Sequence, residues 1–419
     1  MNKVEAMMKK EVEFLSHYEN ATALIENKSD CWSSYTLSHG YPGVILFLNE
    51  FQNLYHVNFD ELIHKYVLRI GKELERGIEG YSLFSGISGI AFSIDVVSDG
   101  HLHYRNILQT LDDYLIEFIN RKMTCINTEA NPREYDVVRG LAGIGRYLLN
   151  RVDANPKVIS SLIEIMNHFR GIHYSKRYWI VSKDNQFLNI DKERFSLGNI
   201  NLGLAHGILG PFSLLALSKI KGVEIDNHSS LLSDITEYLF KTEFQYNQSW
   251  LDRYDIAEKY YPSYSIRNGW CYGDTGIMNT IWLLGLALNN VNLIEKAKNL
   301  IIKIIRLNND NLLSPTFCHG LSSHLTILNN VNRYFNIQEV NSYLELIQEK
   351  ILSHYSSENQ FMFYDIELEN NQTRYKNKVG LLEGQIGILL SLLDIKEGQT
   401  FGLVGESGCG KSTIGKTIV

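Results

Sequence analysis

Cys271, Cys318 and His319 are three side chains that can bind a soft metal ion, and no CxxC spacing ties them to a structural zinc knuckle. Taken singly, a cysteine is most often a small buried hydrophobe. Their register singles these out. A segment of the form Gly-x-x-Gly followed by an apolar run starts at Gly40, Gly86, Gly140, Gly207, Gly273, Gly320 and Gly384. Its sixth copy departs, with Ser323 in place of the second glycine. Just before the first glycine stand His39, Ser85, Arg139, His206, Tyr272, His319 and Glu383 in turn, and one residue further back Cys271 and Cys318 share a position. Equivalent positions of a repeat face the same end of the structure, so these groups converge without being sequence neighbours. Zinc accepts thiolate and imidazole ligands tetrahedrally, and three protein ligands leave a fourth position for water or substrate. The expectation is one zinc ion per chain, on Cys271, Cys318 and His319.

Other reactive groups have ordinary roles to set beside chemical ones. His206, in LGLAHGILG, has as its usual fate a buried neutral imidazole satisfied by a carbonyl. Asp136, four residues before Gly140, suits a helix N-cap. Arg267 suits an ion pair. His39 is read as structural.

The elements that must carry these residues follow from the same repeat. Each interval has room for two helices and their connections. The runs after the glycine pairs, such as GILGPFSLLAL from Gly207, are apolar nearly all round, as fully buried helices should be. Between them lie amphipathic stretches, including 104–122 and 340–355, that read as outer helices. The fold class expected is all-α: an α/α toroid of seven inner and seven outer helices. An open solenoid is the alternative, but it needs polar capping repeats, and the end copies are as apolar as the middle ones. Residues 171–202 break the helical texture and read as a small β-containing insertion of two or three strands, with a turn near Asp184 and Asn185. The toroid is assigned to residues 1–395.

The seven-fold pattern, with the strings AHG, RNGWCYG and CHG, resembles the lantibiotic cyclases, the LanC family, from about residue 30 to about residue 393. The resemblance implies an α/α barrel with zinc at one end. It implies Cys271, Cys318 and His319 as the metal ligands, and Asp136, His206, Arg267 and Tyr272 as the catalytic set. It implies a reaction in which peptide cysteine thiols add to dehydroalanine or dehydrobutyrine. The partners it implies are a dehydrated precursor peptide, a dehydratase and an ABC exporter.

Residues 396–419 do not belong to this pattern. GESGCGKS, from Gly405 to Ser412, fits the phosphate-binding loop G-x-x-x-x-G-K-[ST], with a strand-like run before it and a helix start after it. The stretch resembles the start of an oligopeptide ABC-transporter ATPase. Without a Walker-B carboxylate or a signature helix it reads as a recombination scar rather than an ATPase.

Composition narrows the remaining classes. The chain has 419 residues, 44% hydrophobic, and a net charge of −7, with no block of Lys and Arg that would mark a nucleic-acid binder. Five cysteines, odd in number and sparse, do not form a disulfide framework. Charges interrupt the N-terminus every few residues, and no run reaches the ~18 apolar residues of a membrane span. A cytoplasmic protein is expected, with room for peripheral association at the inner face of the membrane. Two rival readings remain: an (α/α)-barrel glycosidase, which needs two opposed carboxylates, and a zinc-stabilised scaffold that binds peptides without catalysis.

Overall fold

The apolar run after each glycine pair becomes a helix, and the amphipathic stretch after it a second. The computed structural model describes residues 3–100, 102–243, 250–257, 269–307, 312–369 and 372–396. The chain opens with α1 (Lys3–Ser16) and α2 (Tyr18–Lys28), followed by the pairs α3 (Tyr41–Tyr55) and α4 (Asp60–Arg76), then α5 (Ile87–Val96) and α6 (Arg105–Cys125). A single turn, α7 (Pro132–Tyr135), precedes α8 (Leu141–Arg151) and α9 (Val158–His173). Strand β1 (Ile180–Val181), helix α10 (Asn189–Arg194) and strand β2 (Asn199–Asn201) lead to α11 (Leu209–Ile220) and α12 (His228–Lys241). Strand β3 (Arg253–Asp255) stands before α13 (Asp274–Ala287) and α14 (Val291–Arg306). After α15 (Leu321–Phe335) and α16 (Gln338–Ser353) come the hairpin β4 (Asp365–Glu369) and β5 (Gln372–Lys376), then α17 (Gln385–Lys396).

Helices α3, α5, α8, α11, α13, α15 and α17 form the inner ring. Each packs on the next, and α17 packs on α3, so the ring closes. Their composition dictates the place: in α3 every residue from Tyr41 to Leu48 is buried. Outer helices bury one stripe only, as α4 does with Leu62, Ile63, Tyr66, Val67 and Ile70. Helices α4, α6, α9, α12, α14 and α16 follow their inner partners. The seventh outer helix comes from the N-terminus. In α1, Glu11 accepts a 2.7 Å hydrogen bond from Gln385 Nε2 at the start of α17. Lys3 Nζ reaches the Leu352 carbonyl of α16, and Tyr66 Oη of α4 reaches the Leu15 carbonyl. Glu11 is buried, and burial pushes its carboxyl up to about 8. The fold is an α/α toroid.

The second glycine of a repeat serves close packing. A Cβ on Gly89 would stand 1.9 Å from the Leu83 carbonyl oxygen. Only a hydrogen fits between the first turn of the helix and the loop folded over it. In the sixth copy Ser323 occupies this place, and its Oγ accepts a 3.0 Å hydrogen bond from the Trp270 backbone N–H.

The β-containing insertion supplies two strands of a three-stranded antiparallel sheet, β1-β2-β3, in which Ile180 faces Ile200 and Asn201 faces Arg253. The expected turn at residues 184 and 185 is a turn of 3-10 helix, Lys183–Asn185. The third strand comes from residues 253–255, outside the stretch whose composition signalled strands. The P-loop-like segment, with Cys409, lies outside the described residues. No helix among the described residues is long and apolar enough to cross a membrane.

Candidate active site

The loops that precede the inner helices meet at one end of the toroid, joined by backbone hydrogen bonds. Ser38 N–H donates to Phe84 O at 3.0 Å, Val137 to Ala205 at 3.1 Å, and Leu204 to Cys271 at 3.0 Å. Cys271 N–H donates to Cys318 O at 3.3 Å, Cys318 to Leu382 at 2.7 Å, and Leu382 to Ser38 at 3.1 Å. Six of the seven junctions are bonded in this way. The seventh is packed, with Gly143 against the Leu83 side chain. The repeat register is thus a spatial register, and the chemistry-bearing positions line one rim.

On that rim Cys271 and Cys318 are adjacent. The Cys271 side chain hydrogen-bonds to Cys318, and this contact and burial push the Cys318 thiol well above its ordinary range. Cys318, His319 and Glu383 form a group whose ligand atoms all lie within 4.8 Å of one another. Glu383, which shares the register position of His319, has its carboxylate engaged by Lys378 Nζ at 2.8 Å and His39 Nε2 at 3.2 Å. The His39 hydrogen bond, against the cost of burial and with help from Lys378, pulls Glu383 down to about 2. His39, whose Nδ1 bonds Ser38 Oγ, thus holds a carboxylate in place.

Behind His319 stands a second carboxylate. His319 Nε2 lies 3.3 Å from Asp365 Oδ1, and the Asp365 side chain is completely buried. Asp365 also accepts from Ser314 Oγ at 2.9 Å, Thr316 Oγ1 at 3.2 Å and Lys378 Nζ at 2.8 Å. Burial alone would raise its pKa, but the hydrogen bonds from His319 and Lys378 hold it well below the usual carboxylate range. For His319, burial acts downward and Asp365 overcomes it, so the imidazole is raised. A carboxylate on one ring nitrogen fixes the tautomer and leaves the other nitrogen to ligate.

Asp136, His206 and Tyr272, the expected catalytic residues, lie on neighbouring loops. Asp136 is completely buried and divides its oxygens: Oδ1 accepts from the backbone N–H of Arg139 (2.6 Å) and Gly140 (2.8 Å), and Oδ2 contacts His206 Nδ1 at 2.6 Å. Asp136 thus holds the turn ahead of α8, whose N-cap is Gly140, and at the same time contacts His206. His206 keeps 30% of its side chain exposed, and Phe187 packs on it at 5.2 Å between ring centroids. Tyr272 accepts from Arg253 Nη2 at 2.9 Å and from Asn201 Nδ2 at 3.3 Å. Burial raises its hydroxyl above the usual value. Its ring lies on Gly203, where a Cβ would come within 2.4 Å of Cε1. Arg267 lies outside the described residues.

The family model for "Lanthionine synthetase C-like protein" matches residues 31–403. The chain belongs to this family. Nisin biosynthesis protein NisC of Lactococcus lactis subsp. lactis is 31% identical over 344 residues, 77% of this chain and 80% of that protein. Among solved structures, a nisin cyclase superposes with a TM-score of 0.75 at 28% identity, covering 94% of this chain and 93% of that one. Two much shorter matches are to oligopeptide transport ATP-binding proteins of Bacillus subtilis (strain 168). AppF is 49% identical over 45 residues, 13% of its length, and the putative protein YkfD 72% identical over 25 residues, 8% of its length.

In this lanthionine synthetase C-like protein the inner-turn carboxylates are separately engaged: Asp136 by His206, Glu383 by Lys378, and Asp274 by Lys303 at 3.1 Å. These three, among the described residues, do not form the opposed pair that a glycosidase needs. Sequence reasoning missed Asp365, Lys378, Asn201 and Arg253 as neighbours of the site. All four sit on or beside strands, outside the repeat register, whereas Glu383 stands in that register beside His319.

Proposed function

We propose that the chain is a zinc-dependent cyclase that adds cysteine thiols of a dehydrated lantibiotic precursor to dehydroalanine and dehydrobutyrine, forming lanthionine and methyllanthionine rings. The observation that carries this reading is the run of inter-loop hydrogen bonds that sets Cys271, Cys318 and His319 on one rim with the His206–Asp136 dyad. The donor chemistry fits zinc: Cys318 with its hydrogen-bonded neighbour Cys271 and an imidazole backed by a carboxylate, Cys318 and His319 but not Cys271 standing in the group of ligand atoms within 4.8 Å of one another. Glu383 is the weaker candidate for a ligand, because Lys378 and His39 already hold it. Zinc, when bound, stabilises the thiolate of a substrate cysteine, whose free thiol has a pKa of ~8.5.

The protein's own groups manage protons and geometry. Asp136 fixes the His206 tautomer with Nδ1 inward, so Nε2 takes the thiol proton. A carbon–sulfur bond forms at the β-carbon, and the alkene electron pair moves toward the carbonyl oxygen as an enolate. His206 then returns the proton to the α-carbon. One thiol and one alkene become one thioether, without oxidation, reduction or change of mass. Tyr272 faces the enolate oxygen as donor, and Arg267 is assigned to the same charge or to Asp136.

This reading calls for a dehydratase to supply the substrate and an ABC exporter to remove the product, with cyclisation in the cytoplasm near the inner membrane face. The test is metal analysis of the purified chain, then incubation with a dehydrated precursor peptide while free thiols are counted. One zinc per chain and loss of thiols at constant mass are expected. Zinc-loaded protein that leaves every thiol free would return the chain to the role of a binding scaffold.

A further inference from the structure

The small sheet at the rim has a use in the reaction. Strand partners Asn201 and Arg253 face each other across β2 and β3. Arg253 Nη1 donates to Asn201 Oδ1 at 3.0 Å and to the Asp252 carbonyl at 3.0 Å, and Nη2 donates to Tyr272 Oη at 2.9 Å. Asn201 Oδ1 also accepts from Gly203 N–H at 3.0 Å, and its Nδ2 donates to Tyr272 Oη at 3.3 Å. The guanidinium stands 4.6 Å from the Tyr272 ring centroid.

Three consequences follow. A phenolic oxygen has two lone pairs and one hydrogen. Arg253 and Asn201 occupy both lone pairs, so the hydrogen must point away from both, and none of the described residues accepts it. The hydrogen-bond acceptors of Arg253 among the described residues are neutral oxygens, and its positive charge bears directly on the Tyr272 hydroxyl, with the Asp252 and Asp191 carboxylates acting on it from further off. Tyr272 and Arg253 both retain partial exposure, as a group that meets substrate must.

We propose that Arg253, with Asn201, is a positioning residue that presents the Tyr272 hydroxyl as a polarised donor to the enolate oxygen formed during thioether closure. The inference rests on the cyclase reading and gives the sheet a role in it: β2 and β3 aim one side chain of the rim. Lysine cannot replace the arginine fully, because one ammonium does not reproduce a planar fork that reaches Asn201 and Tyr272 together.

The test compares Arg253→Met, Tyr272→Phe and the double variant as full chains. Zinc per chain, thermal midpoint and steady-state kinetics are measured on a dehydrated precursor peptide that the unmodified chain cyclises. Arg253→Met should keep its zinc and lower kcat about 10- to 100-fold with little change in KM, less than the ~10²–10³ of losing an oxyanion donor outright. The double variant should be no slower than Tyr272→Phe, because Arg253 acts through that hydroxyl. Arg253→Lys should fall between the unmodified chain and Arg253→Met, and it serves as the variant of record if the methionine does not fold. Losses that multiply in the double variant, an unchanged kcat, or an effect confined to KM or thermal midpoint would overturn the proposal while the cyclase reading stands. If the unmodified, zinc-loaded chain cyclises none of the peptides, the cyclase reading fails and this inference falls with it.

Discussion

On the proposed reading His206 and the metal ligands divide the work, and single substitutions should separate them. His206→Ala is expected to retain zinc while cyclisation slows by about 10²–10⁴-fold, the usual contribution of a positioned acid–base group. Thiol counts over time, paired with metal analysis, check this. Cys318→Ala removes a proposed ligand and the Cys271 contact, so it should lose zinc on dialysis against a mild chelator. Metal retained at one per chain would exclude Cys318 as a ligand. Asp365 contacts no substrate in this scheme, yet its substitution should tell. Asp365→Asn takes the charge from behind His319 and leaves Lys378 with one carboxylate fewer. A weakening of zinc affinity by about 10- to 100-fold is expected, the usual effect of losing such a partner, and competition titration with a chromophoric chelator measures it.

At the scale of elements, the repeat made most of the architecture legible. Seven apolar runs in phase dictate seven buried helices, and the residue before each first glycine lands on the rim because the backbone of one loop bonds to that of the next. What stayed hidden came from elements without a period. Asp365 and Lys378 stand on and just after a hairpin, and Arg253 on a strand three residues long, so no spacing in the sequence connects them to His319 or Tyr272. Ser323 is the instructive case: an apparent lapse in the glycine pattern holds the Trp270 amide, one residue from Cys271. Ser323→Gly restores the pattern and unties that amide. Helix α15 should persist, stability should fall by about 1 kcal/mol for the lost hydrogen bond, and zinc should dissociate faster. Circular dichroism, thermal melts and metal-release kinetics read these separately.

For the molecule as a whole, the join between its first and last helices sets a dependence on pH. The folded-state pKa of Glu11, about 8, lies above its ordinary 4.5, so the folded chain holds a proton there that the unfolded chain has released. The stabilisation linked to that proton is complete below about pH 4.5 and disappears as pH rises toward 8. Its size is on the order of a few kcal/mol. Thermal midpoints of the native chain should therefore decline from about pH 5 to about pH 8, and Glu11→Gln, which keeps an amide opposite Gln385, should flatten the decline. A slope identical in both would remove Glu11 as its source. The clasped loops of the rim carry a different consequence. Since six of the seven loops borrow a carbonyl from the next, the rim resembles a clasped band more than a set of independent fingers, and its fastenings ought to open together. Deuterium should enter the amides of Ser38, Val137, Leu204, Cys271, Cys318 and Leu382 at one shared rate, and loosening any one clasp should quicken all of them, including those on the far side from the metal.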